Sequence, residues 1–165
     1  MSGILKSSLL LLFCSGAGSG PSAASLTAGQ IEARIHAEGG RKVIKDLRAD
    51  EAEFEEILSR IDSGESEWLD VALLLKPFSD GGTAEGVGYA VARALPKAPA
   101  RVLSLVGHGF DLEEVCTSPF NEPAAGIAES YERKALAALA TVRDRRLGTL
   151  ASECAKRIKT PAAGG

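Results

Sequence analysis

The side chains best equipped for chemistry lie in three places. The first is Gly107-His108-Gly109, followed by Asp111, Glu113 and Glu114: an imidazole close to three carboxylates, the raw material of a metal site or a general base. A zinc site needs three or four ligands at fixed spacing, and His36 is the only other histidine. Neither histidine falls in an H-x-x-x-H or H-E-x-x-H pattern. Asp111 and Glu114 also have capping-box spacing between Phe110 and Val115 at staple positions, so a helix start accounts for these acids as well as a site does. His108, Asp111 and Glu114 stand as a candidate polar site, with Cys116 and His108 as a conceivable thiol–imidazole pair.

The second place is Cys116 with Cys154, both on apolar faces of expected helices. In an oxidising compartment they pair as a disulfide, worth about 3–4 kcal/mol in the chain-entropy model for a loop of this length. In a reducing one they are two buried thiols. Pairing would also withdraw Cys116 from any nucleophilic role.

The third is Asp80-Gly81-Gly82-Thr83-Ala84-Glu85-Gly86. Glycines before a helix suggest a phosphate loop, yet the G-K-[ST] ending is missing and a helix, where a strand should be, precedes it. A helix stop, a turn and an N-cap at Thr83 explain the stretch. Asp80, Gly81, Gly82, Thr83 and Glu85 then form a candidate surface contact loop. The basic run Arg41, Lys42, Lys45, Arg48 and the acidic run Asp50, Glu51, Glu53, Glu55, Glu56 read as solvated faces of adjacent helices, each sign near the helix end it favours.

The elements that must position these residues are helical. Thr27 and Gln30 make a capping box for a first helix ended by Gly39-Gly40, and Asp50 caps a third through Glu53 after a short second helix over Arg41 to Arg48. Phe54, Ile57, Leu58 and Ile61 recur at helical spacing, and Asp62-Ser63-Gly64 stops that run, with Ser63 or Gly64 opening the next. Trp68, Val71, Ala72 and Leu75 form one face of a strongly apolar helix, with Trp68 as a core anchor. Thr83 opens its partner, a slim helix with Val87, Ala90, Val91 and Ala94 inward. Pro96 and Pro99 break the chain before Val102 to Val106. After the Pro119–Pro123 connector, an alanine-rich helix is expected over Ala124 to Val142, and Asp144 opens a last one carrying Leu147, Leu150, Ala151, Cys154 and Ile158. No stretch alternates as a strand does. The fold class is all-α, either HEAT/ARM-like hairpins in an α-α superhelix or an irregular helix bundle.

Composition agrees. The 165 residues suffice for one domain with its own core, and 45% hydrophobic against 25% charged residues excludes wholesale disorder. Aromatics at 5% favour close-packed helices over a sandwich, and a net charge of −3 with no basic stripe gives nucleic-acid binding no footing. Residues 1–24 place Lys6 before an apolar run ending near Cys14, then small residues through Ser22-Ala23-Ala24. That is the layout of a signal peptide cleaved near Ser25, and the run is too short to span a bilayer. Cys14 raises lipidation, although Phe13 before it is bulky for that processing. A single helical domain is expected over 25–158 and a disordered tail over 159–165.

The segment around Trp68, the Asp80 turn and Ala94-Leu95 is similar to a HEAT-type helical hairpin. The mature chain resembles a group of exported α-helical proteins of proteobacteria, through Ser63-Gly64-Glu65-Ser66-Glu67-Trp68-Leu69, Asp80 to Gly86, Ala94-Leu95-Pro96-Lys97-Ala98-Pro99, Val115-Cys116, Pro119-Phe120-Asn121-Glu122-Pro123 and Cys154. That resemblance implies export and helical architecture; it carries no activity. The expected function is non-enzymatic: a periplasmic or secreted protein that binds another protein of the cell envelope, with no cofactor, no nucleic acid and no transmembrane segment once the signal is removed. The alternatives are a hydrolase or metal-dependent enzyme centred on His108, an immunity or inhibitor protein against a secreted toxin, and a carrier of a small apolar ligand.

Overall fold

A computed structural model describes residues 26–160, so the signal-peptide and Cys14 expectations, like residues 161–165 of the tail, lie outside the described residues. Among the described residues the structure is all-α, with nine α-helices and no strand. Where local chemistry sets a boundary, the boundary is as expected. Thr27 and Gln30 close a reciprocal capping box on α1 (Ala28–Glu38), and Gly39 ends it. After α2 (Gly40–Ala49), the Asp50 carboxylate accepts the Glu53 N–H at 3.0 Å and starts α3 (Glu51–Asp62).

Further along, boundaries move. α4 (Ser66–Leu75) opens at Ser66, after Glu65, where Ser63 or Gly64 was expected. It runs into a 3-10 turn over Lys76–Phe78 that contains Pro77. α5 (Gly81–Ala94) begins at Gly81, two residues before Thr83, so the expected loop is the first turn of a helix. α6 (Pro99–Leu103) follows a turn, and α7 (Leu112–Val115) follows the break at His108. α8 (Ile127–Leu139) is shorter than Ala124 to Val142, because Gly126 takes a left-handed φ of 85° that ends any helix running from Ala124. α9 (Gly148–Lys159) opens at Gly148, and it includes Lys159, which was assigned to the tail. Asp144 instead accepts the Arg146 N–H at 2.7 Å, a local turn that postpones the helix.

One contiguous core is drawn from all these helices except the four-residue α7's polar face, with Ile31, Leu47, Ile57, Leu69, Leu75, Leu95 and Leu103 completely buried. Trp68 is buried within it, as its place on α4 implied. α3, α5, α7 and α9 pack in one row and α2, α4, α6 and α8 in another. The expected hairpin of α4 with α5 is not the packing unit: α5 lies chiefly against α3 and only lightly against α4. The 3-10 turn redirects the chain between them. With helices ranging from 4 to 14 residues, no unit of fixed size repeats, and a HEAT-type repeat is not established. No helix among the described residues is long and apolar enough to cross a membrane.

Cys116 and Cys154 are joined, with sulfurs 2.05 Å apart across a sequence separation of 38. Both are buried, and the bond ties the C-terminal pair α8–α9 to the end of α7.

Candidate functional site

The residues singled out for chemistry are spent on structure. Glu114 pairs with Lys76 and accepts the Asp111 N–H at 3.4 Å, while the Lys76 ammonium sits 5.1 Å from the centre of the Phe110 ring. That arrangement fastens α7 to the end of α4. His108 is exposed in its turn, and Asp111 is exposed beside it. No group of three or more His, Cys, Asp or Glu side chains among the described residues is placed to hold a metal. The Cys116–His108 pair is not available as a nucleophile, because Cys116 is in the disulfide.

The Asp80 stretch is similarly engaged. Arg48 pairs with the Asp80 carboxylate, donates to the Asp80 carbonyl at 3.1 Å, and gives its Nε–H to the Thr83 hydroxyl at 2.9 Å. Thr83 is buried rather than presented to a partner. Gly81, Gly82 and Glu85 remain exposed on the first two turns of α5. The neighbouring charged runs are partly paired: Arg34 with Glu53, Lys42 with Glu38 and Asp46, Arg60 with Glu56.

What the structure builds instead is a groove of about 650 Å³ beside α8, assembled from segments far apart in sequence. One wall is a stripe along α8 and the turn after it: Ile127, Ser130, Tyr131, Lys134, then Ala137, Ala138 and Thr141. These recur at three- and four-residue intervals and so share one helix face. Tyr131, Ala135 and Leu139 face inward and are buried, while Ile127 is 47% exposed, the most exposed large apolar side chain described. The opposite wall is Arg93 near the end of α5, Pro96 and Lys97 of the following turn, and Asp62 at the end of α3.

Two devices hold those walls. The Tyr131 hydroxyl donates to the Ala92 carbonyl at 2.8 Å, and its ring meets Phe120 edge-on at 5.5 Å, which fixes the floor. Burial pushes the Tyr131 phenol well above the ordinary tyrosine range, so it stays a neutral donor. On the other side, Gly64 at φ 80° lets the turn approach so closely that a Cβ there would lie 3.1 Å from the Ala98 Cβ and 3.3 Å from that of Lys97. Lys97 then reaches Asp62 at 2.6 Å, and its carbonyl at 2.7 Å, while Arg93 lies 3.5 Å from the same carboxylate. One carboxylate thus serves two cations, and Lys134 faces them without an acid of its own among the described residues. The rim is net positive on a chain that is net negative.

Sequence reading named none of these as a site. Ile127 stands one turn before Tyr131 on the stripe that continues to Ala135 and Leu139, so its spacing reads as core and its exposure shows only in the fold. Compared with protein-family models, with curated proteins and with solved structures, the chain has no match.

Proposed function

We propose that the protein is a non-enzymatic binding protein of an extracytoplasmic compartment, periplasmic or secreted, that docks another protein of the envelope in the groove beside α8. The observation that carries this reading is the groove itself: an apolar lining of Phe120, Tyr131, Ile127, Ala137 and Ala138 under a cationic rim. Binding sites combine an apolar surface with a few convergent polar groups in this way. The lining side chains can hold a ligand, and the Tyr131 hydroxyl is committed to the Ala92 carbonyl. The disulfide supports the compartment, since such bonds persist where thiols are oxidised, and the pattern of residues 1–24 fits the same route. The metal-dependent alternative centred on His108 draws no support from the geometry, and no observation favours a toxin-inhibitor role over other partners.

Ala138→Arg tests the proposal by filling the groove from a half-exposed position. A protein that co-purifies with the wild-type chain from the envelope fraction should be lost, while the thermal melt stays within a few degrees. Retention of that partner by the correctly folded variant would count against the groove. Turnover of a substrate, lost on mutating one pocket residue, would count against the non-enzymatic reading.

A further inference from the structure

The groove's shape and charge specify the chemistry of its occupant. Along α8 the wall runs the length of the 13-residue helix, about 20 Å, which is the length of a linear segment and not of a compact metabolite. Ser130, Ala137, Ala138 and Thr141 keep that wall low, so a second helix can lie close against it. Ile127 at one end offers an uncovered apolar contact. The rim adds direction: Lys134 on the α8 side faces Arg93 and Lys97, whose shared Asp62 neutralises one charge of the three.

Building on the docking reading, we infer that the groove receives an amphipathic helix of an acidic partner, laid along α8 with its apolar face down and carboxylates toward Lys134 and Arg93. A second copy of this chain is a poor occupant. Two copies meeting through this face would set Lys134, Arg93 and Lys97 of one against the same cations of the other. A basic partner would be opposed by the rim.

The test uses the mature chain and three synthetic helical peptides of about thirteen residues, one per residue of groove wall, with leucines at i, i+3 and i+4 spacing. They differ only in carrying Glu, Gln or Lys at the flanking positions. Binding is read from backbone amide shifts of the labelled protein and from fluorescence anisotropy. The Glu peptide should bind with shifts confined to the groove residues, about tenfold more tightly than the Gln peptide, with the Lys peptide weaker still. Lys134→Glu, at an exposed position outside the core, leaves two cations against two carboxylates on the rim and should abolish that order.

Equal binding of all three peptides in the groove would overturn the acidic partner while leaving the docking surface in place, a result that Ala138→Arg would then confirm by abolishing all three. Shifts outside the groove, or no binding by any peptide at millimolar concentration, would overturn both. Concentration-dependent dimerisation through the same residues would replace the acidic partner with a second copy.

Discussion

At the scale of single residues, Tyr131 shows how core and groove are coupled. Its ring forms part of the floor and its hydroxyl satisfies a main-chain carbonyl of α5, so the groove's floor is anchored to the core beneath it. Tyr131→Phe should cost about 1 kcal/mol at neutral pH, the usual net worth of one such hydrogen bond. Its pH signature is more specific. The folded phenol titrates above the free value of 10.0, so both states are protonated below that pH and the contribution is constant. Above it the unfolded chain releases its proton first, and stability falls as pH rises toward the folded pKa. Urea titrations from pH 8 to 11 should show that decline in the wild type and a flatter one in Tyr131→Phe. Tyr89, raised by burial and by Glu85, leaves a remnant of the slope. Gly40 gives a second residue-level test. A Cβ there would run into the Phe78 ring, so Gly40→Ala should destabilise by about 1–3 kcal/mol, and Phe78→Ala should relieve most of that in a double-mutant cycle.

At the scale of elements, the C-terminal pair depends on one covalent link. The Cys116–Cys154 bond, across a separation of 38 residues, holds α9 against α7, and the chain-entropy model gives it about 4 kcal/mol. Cys116→Ser and Cys154→Ser should lower the melting temperature alike, and the double variant no further; unequal, additive losses in calorimetry would contradict the pairing. This scale also shows where sequence was sufficient. Thr27, Asp50 and Asp111 bind groups three residues away, so their helix starts are legible locally, and periodicity placed Trp68, Val71 and Leu75 inside. The start of α5 was not legible, because what decides it is distant: Arg48 of α2 takes both Asp80 and Thr83, so neither caps the helix by itself. The start of α9 was misplaced because Asp144 serves a turn, a use of aspartate that spacing does not separate from an N-cap.

At the scale of the molecule, two rows of helices leave one face of α8 open to the groove, and two segments far apart in sequence, Asp62 and the stretch from Arg93 to Lys97, build the wall opposite it. No sequence pattern marks such a site, since Asp62, Arg93 and Lys134 converge only through the packing of α3, α5 and α8. The compartment belongs to this scale too. Intact mass of the chain from an export-competent host, with thiols alkylated before and after reduction, should show a start near Ser25 and two thiols hidden until reduction; a start at Met1 with three free thiols would contradict export. The central claim is that the groove beside α8 is where a partner docks. Photo-crosslinking in the producing cells tests it most directly, with the probe placed in turn at Ile127 and Phe78, the two large apolar side chains most exposed among the described residues. Docking in the groove predicts a discrete protein adduct from Ile127 and none from Phe78. An adduct from Phe78 alone, or none from either, would contradict it.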